Sequence, residues 1–399
     1  MKILTVCPKF YPSLASGVAR AAYEICKGLV KAGHEVTVYT SNALDQTSTV
    51  EEKNQVVDIN GIKVYYFGTI FYKQAWKHKL FITPKIVNVA MRELHIFDII
   101  HLHELRCFSS IVCHHYAKQH GIPYVLQAHG SVPTFIQKGK LKSVFDVIWG
   151  HHILKYASRL IALTPDEVEQ YKSVGISEDK IEIILNGVDV SAFEDLPQRG
   201  HFRANYGLRD SQKIILYVGR IYRLKGLDLL ANAFADILRN SSEVKLVIVG
   251  PDDGFLQAQK KLIKELGIEE KVLFTGPLFG RDKLEAYIDA DVFVLPSIFE
   301  TFPVAVLEAC ACGLPVVVTD KCGIADIIND QVGFVVPYDS NQLSDAILRM
   351  LTNDEIRQQF GEKGKVLVRE KFDWSQIVKQ LEDIYHAVLL KGDIRDQKY

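Results

Sequence analysis

The stretch KIILYVGRIYRLKG, residues 213–226, joins an apolar, β-branched run to a glycine turn that carries cations. The same grammar returns in VKLVIVG (244–250), KVLFTG (271–276), DVFVLP (291–296) and PVVVTD (315–320). Near-continuous apolar strands separated by helical segments belong to parallel sheets covered on both faces. The first half has the same pattern. KILTVC (2–7) is followed by Val18, Ala22, Ile25 and Leu29 at helical spacing, then by Gly33 and EVTVYT (35–40), which together make a βαβ unit. Further strands are expected at KVYYF (63–67), DIIHLH (98–103), PYVLQAH (123–129), RLIALT (159–164) and IEIIL (181–185).

A chain of 399 residues is too long for one ordinary core, and the break in periodicity over NGVDVSAFEDLPQRG (186–200) divides it into two doubly wound α/β domains. Open parallel sheets bind ligands beyond the carboxyl ends of their strands, so two facing sheets are expected to hold a ligand between them.

Composition is that of a globular protein, 48% hydrophobic and 24% charged, and a net charge of −1 argues against a nucleic-acid binder. No stretch reads as a signal peptide or a spanning helix. The seven scattered cysteines show neither a zinc pattern nor a disulfide framework, which favours a cytoplasmic location. Between Lys63 and Arg159, thirteen Lys/Arg face four Asp/Glu and are interleaved with aromatics over 71–81 and 136–149. Such a face is either plainly solvated or built for an anionic surface.

Chemistry gathers at the strand ends. After Gly219, Arg220 and Lys225 bring cations to the carboxyl edge of the sheet, where they could neutralise a diphosphate. Glu300 and Glu308 stand eight positions apart in LPSIFETFPVAVLEACACGLPVVVTD (295–320), an otherwise apolar run in which an unpaired carboxylate would be expensive. Each oxygen can accept from a sugar or ribose hydroxyl, so a polyhydroxylated ligand is expected to fill their valences. Phe302-Pro303 opens a helix whose free amides suit phosphate. Ser16-Gly17 follows the first strand, and His103 and His129 close DIIHLH and YVLQAH. Each of these also has an ordinary reading as a tight turn or a hydrogen-bonded structural histidine.

Taken together, GHEVTVYT (33–40), DIIHLH, QAHG (127–130), NGVD (186–189), GRIYRLKG (219–226) and the paired glutamates of FETFPVAVLEA resemble a family 4 glycosyltransferase, over almost the whole chain. The resemblance implies a retaining, nucleotide-sugar-dependent enzyme of GT-B fold, with two facing Rossmann-like domains. These would be residues 1–190, completed by a helix from 374 to 399 that crosses back, and residues 200–373, which bind the donor.

By the same resemblance, Arg220 and Lys225 hold the diphosphate, Glu308 the ribose and Glu300 a hydroxyl of the donor sugar. Phe302, Pro303 and Val304 meet the distal phosphate, Gly276, Pro277 and Leu278 flank the base, His129 lies beside the reacting sugar, and Gly17 is near phosphate and acceptor. The usual Gly-Gly of the first loop is Ser16-Gly17 here, and Pro303 replaces a glycine.

No cofactor or metal is expected beyond the nucleotide-sugar substrate. The acceptor is expected to be a glycan or lipid-linked hydroxyl in polysaccharide or glycoconjugate synthesis, met at the inner membrane face through Lys73, Trp76, Lys77, Lys79, Lys138, Lys140 and Lys142. A sugar-nucleotide epimerase or hydrolase on the same fold is the alternative. A dehydrogenase or P-loop enzyme lacks its glycine signature here.

Overall fold

The computed structural model describes residues 1–13, 17–44, 48–72, 75, 81–132 and 143–396. Two compact units emerge, one of residues 1–186 with the terminal segment from Trp374, the other Gly187–Asp373. The second unit therefore begins before the expected residue 200. Its start is held to its own end, because Val188 N–H donates to the Phe372 carbonyl at 2.8 Å.

Among the described residues the first unit contains an eight-stranded sheet in the order β3-β4-β2-β1-β5-β6-β7-β8. The strands are β1 (Lys2–Val6), β2 (Glu35–Ser41), β3 (Val56–Ile59), β4 (Ile62–Phe67), β5 (Ile99–His103), β6 (Tyr124–Gln127), β7 (Arg159–Ala162) and β8 (Ile181–Ile183). All neighbours are parallel except β3 and β4. The antiparallel strand β3 is added at the edge of an otherwise parallel sheet. It alternates exposed and half-buried residues and so lacks the continuous apolar run by which the inner strands are read.

The terminal helix Trp374–Asp396 buries Trp374, Ile377, Val378, Leu381, Tyr385 and Val388 in the same core as Ala22, Ile25, Cys26 and Leu29 of the helix Gly17–Lys31. Fully burying a side chain the size of Leu381 contributes about 1.5–3 kcal/mol, so this stripe ties the helix to the first unit.

The second unit carries a six-stranded parallel sheet, order β11-β10-β9-β12-β13-β14. Its strands are β9 (Lys213–Val218), β10 (Val244–Val249), β11 (Val272–Gly276), β12 (Val292–Leu295), β13 (Val316–Thr319) and β14 (Gly333–Val336). The strand order reverses on either side of β9, just as it does at β1 in the first unit. Strands to one side are filled by successive crossovers and strands to the other by later ones, and it is beside such a reversal that ligands of open parallel sheets bind.

Glycines make the loops after β9, β10 and β12 pack closely. Gly250, at φ +147°, leaves no space for a side chain, since a Cβ there would lie 1.9 Å from the Gly219 carbonyl oxygen. Gly226, at φ +65°, is likewise set against the Pro296 carbonyl, 1.8 Å from where a Cβ would stand. Both contacts are with backbone and cannot be relieved by a rotamer change. Alanine at either position is therefore expected to lower unfolding free energy by about 2 kcal/mol or more in urea denaturation. Gly17→Ala, with open space around its α-carbon, should leave it unchanged.

Candidate active site

Lys225 ends a short 3-10 helix, Arg223–Lys225, that follows β9. The loop after β12 is stitched to it, for Ile298 N–H donates to the Leu224 carbonyl at 2.9 Å. Beyond β13 the chain supports Glu300 from the other side. Glu300 N–H donates to the Lys321 carbonyl at 3.1 Å, and Gly323 N–H returns a bond to the Glu300 carbonyl at 2.8 Å. The result is an ion pair between Lys225 Nζ and Glu300 Oε2, with each side chain only 17% exposed.

Glu308 lies in the helix Val304–Ala311 and is buried. Its two oxygens are taken up separately, Oε1 by Lys283 Nζ at 2.8 Å and Oε2 by the Tyr287 hydroxyl at 3.0 Å. Lys283 and Tyr287 stand four residues apart on the helix Gly280–Asp289, and so share one face. Lysines of the chain itself thus already compensate both glutamates. A carboxylate has about four acceptor positions, so capacity remains for hydroxyls.

Other expected donor residues lie around these pairs. Arg220 reaches Asp253 at 2.5 Å, with both side chains well exposed, so the pair is weak and easily exchanged for an anion. The buried Tyr217 donates to the Arg220 carbonyl at 2.8 Å and fixes the start of its loop. Pro303 is the N-cap of the Val304–Ala311 helix, which leaves the first turn of amides from Val304 intact. Phe302 turns inward onto Phe372, ring centroids 6.1 Å apart. Gly276 ends β11 and accepts from Gly250 N–H at 2.9 Å, so the ends of β9, β10 and β11 form one row, with Pro277 exposed and Leu278 half-buried beyond it. A separate cavity of about 850 Å³, lined by Arg199, Arg203, Lys213 and Asp291, lies at the opposite, amino end of this sheet.

In the first unit Gly17 opens the helix Gly17–Lys31 after β1. Ser16 and the basic and aromatic residues Lys73, Trp76, Lys77, Lys79, Lys138, Lys140 and Lys142 lie outside the described residues.

His129 does not close a strand as its sequence suggests. β6 stops at Gln127, and His129 sits in the following turn at φ +52°, a conformation unfavourable for a residue with a Cβ. Two side chains of the helix Pro165–Ser173 hold that turn. The Tyr171 hydroxyl accepts from Ala128 N–H at 3.1 Å, and Glu167 accepts from Gly130 N–H at 2.5 Å and Leu163 N–H at 2.7 Å. Burial pushes the Glu167 carboxyl up, and the two amide bonds oppose that rise.

His129 Nε2 lies 2.9 Å from His103 Nδ1, His103 stacks on His101 at 4.1 Å, and His101 Nδ1 meets the Tyr385 hydroxyl at 2.7 Å. Burial lowers His129 and His101 to about 3 and His103 well below its ordinary value, so all three rings are neutral at pH 7.

Sequence reading missed Lys283, Tyr287, Glu167, Tyr171 and Tyr385. The only local signal was i, i+4 spacing, which Lys283 with Tyr287 and Glu167 with Tyr171 both show.

With this geometry in hand, comparison with known proteins gives a consistent answer. Residues 15–192 match the model of glycosyltransferase family 4, and residues 198–367 match that of glycosyl transferases group 1. An uncharacterized glycosyltransferase of Methanocaldococcus jannaschii is 28% identical, over 98% of this chain and 99% of its own. The N-acetyl-alpha-D-glucosaminyl L-malate synthase of Bacillus anthracis is 27% identical, over 98% and 97%. Among solved structures, Anabaena HepE in complex with UDP-glucose superposes with a TM-score of 0.78 at 19% identity, covering 97% of this chain and all of that one. The chain belongs to the family 4 glycosyltransferases of GT-B fold.

The three histidines have a measurable consequence. Their folded-state affinity for protons is below the ordinary 6.5, so between about pH 6.5 and 3 the unfolded chain binds more protons. Their stability contribution is complete above pH 6.5 and is lost as the pH falls through that window. The melting temperature is expected to drop on acidification below pH 6.5, and His101→Phe should flatten that slope in differential scanning calorimetry.

Proposed function

We propose that the chain transfers a sugar from a nucleoside diphosphate donor to a hydroxyl acceptor with retention at the anomeric carbon. The observation that carries this reading is the pair of lysine-compensated carboxylates, Lys225 with Glu300 and Lys283 with Glu308, at the carboxyl end of the second sheet beside its switch point. The likeness to a structure solved with UDP-glucose supports it.

In this reading Glu308 takes the ribose hydroxyls and Glu300 a hydroxyl of the donor sugar. Lys225 and Arg220, with the amides after Pro303, face the diphosphate, and Gly276 to Leu278 flank the base. As the bond from the anomeric carbon to the phosphate oxygen breaks, negative charge grows on the leaving diphosphate. Fixed cations stabilise that charge more in the transition state than in the ground state. Neither glutamate is assigned as a covalent nucleophile, since both are engaged as ligand clamps. The acceptor oxygen therefore attacks on the face the diphosphate leaves, and its proton passes to the departing phosphate oxygen.

The transfer is assigned to the cytoplasmic side, with a lipid-linked or glycan acceptor. Among the described residues no helix is long and apolar enough to cross a membrane. A surface contact is supported by Val144, Val147, Ile148 and Trp149, which are exposed and follow the basic 136–142 segment in the sequence; Ile148 and Trp149 line a groove together with Lys118.

Three measurements test these assignments. In thermal-shift titration with UDP-, GDP- and ADP-sugars, the cognate donor at 100 times its Kd should stabilise the protein by about 2.7 kcal/mol. Lys225→Ala and Glu308→Ala should weaken that donor roughly 10- to 100-fold while remaining folded, and NMR of the product should show the donor's anomeric configuration. Free sugar or epimer formed without acceptor would favour the alternative chemistry. For the surface contact, co-sedimentation with anionic vesicles should be salt-sensitive and reduced by Val147→Asp; absence of binding at low salt would leave a plain solvated face.

A further inference from the structure

The ring chain that ends at His129 restricts where its proton can sit. Each neutral imidazole carries one N–H, and the 2.9 Å contact between His103 Nδ1 and His129 Nε2 needs a proton on one of those two atoms. In the first arrangement His129 donates from Nε2. His103 must then carry its own proton on Nε2, which is buried and has no hydrogen-bond partner among the described residues. In the second arrangement His103 donates from Nδ1, its Nε2 is a bare lone pair, and His129 carries its proton on Nδ1. A buried N–H without a partner is the rarer and more costly defect, so the second arrangement is preferred. A charged ring, which would supply both protons, is excluded by the burial that lowers all three histidines.

The surroundings allow little escape from this choice. His103 is fully buried at the end of β5 and cannot turn to water. Its ring lies against His101, which the Tyr385 hydroxyl holds from the terminal helix. His129 is held by its turn, through Ala128 on Tyr171 and Gly130 on Glu167.

We propose that His103 is a positioning residue that fixes the tautomer of His129, so that His129 presents a ligand with an Nδ1–H donor and not a basic nitrogen. This rests on the reading that a nucleotide-sugar is the substrate. Under it His129 binds an oxygen of its ligand by donation and takes up no proton during transfer. The acceptor's proton leaves with the diphosphate, and no base is required of His129. Tyr385 and His101 act only by buttressing the His103 ring.

The test is ¹⁵N NMR of the imidazole nitrogens in the full-length protein, with His129 assigned by the signals lost in His129→Asn. The free wild-type protein should show His129 protonated at Nδ1 and unprotonated at Nε2. His103→Leu removes the donor and should move His129 toward the Nε2–H form. It should lower kcat about tenfold, the worth of one hydrogen bond, with nucleotide Kd unchanged. In His103→Asn the side-chain amide stands where Nδ1–H stood, and both tautomer and kcat should return.

Wild-type His129 protonated at Nε2, an unchanged tautomer in His103→Leu, or no recovery in His103→Asn would each overturn the proposal. Should the leucine variant fail to fold, the wild-type and asparagine spectra decide it. The spectra are read without ligand, so they are independent of the substrate reading, which fails instead if no UDP-, GDP- or ADP-sugar binds.

Discussion

A carboxylate in an apolar segment at the end of a parallel strand must be matched by positive charge, and in the second unit that constraint is met twice. Lys225 answers Glu300 and Lys283 answers Glu308. The two solutions differ in origin. Lys225 reaches Glu300 because Gly226 lets the loop after β9 lie directly on the Pro296 carbonyl, so the pair depends on backbone packing between two strand ends. Lys283 reaches Glu308 from a neighbouring helix, with Tyr287 one turn on completing the grip. Glu300 is partly open and Glu308 almost closed to solvent.

The first unit solves a different problem, which is to hold a histidine in a backbone conformation that favours glycine. Glu167 and Tyr171 fix the turn from a helix behind it, while His103 fixes the ring. A strained residue persists only where its surroundings over-determine it, and such positions concentrate at functional sites. Since Tyr385 joins the terminal helix to this network, the helix contributes to the site's order as well as to the core.

Much of this architecture was legible in the sequence, because buried parallel strands leave continuous β-branched runs and their glycine turns punctuate them. Arg220, Lys225, Glu300 and Glu308 stood out as charges at strand ends or inside apolar runs. The strands β3 and β14 did not, the first being an exposed edge and the second only four residues long. Lys283 was invisible for a different reason. Its partner is 25 positions away, and nothing local distinguishes GRDKLEAY (280–287) from a solvated helix face. His129 was found, but its turn was taken for a strand end because the apolar alternation of YVLQAH runs two residues past the last ladder bond. Glu167 and Tyr385 were missed because their partners are fixed only once the chain has folded.

The central claim is that the buried carboxylate of Glu308 in the helix Val304–Ala311 is tolerable only because its own chain neutralises it. A double-mutant cycle of Lys283→Met and Glu308→Leu, read by urea unfolding, addresses that directly. Either change alone should destabilise strongly, by about 3 kcal/mol for Lys283→Met, and the double variant should recover much of the loss, giving a coupling of about 2 kcal/mol. Additive effects, with the double variant as unstable as the sum of its parts, would contradict it.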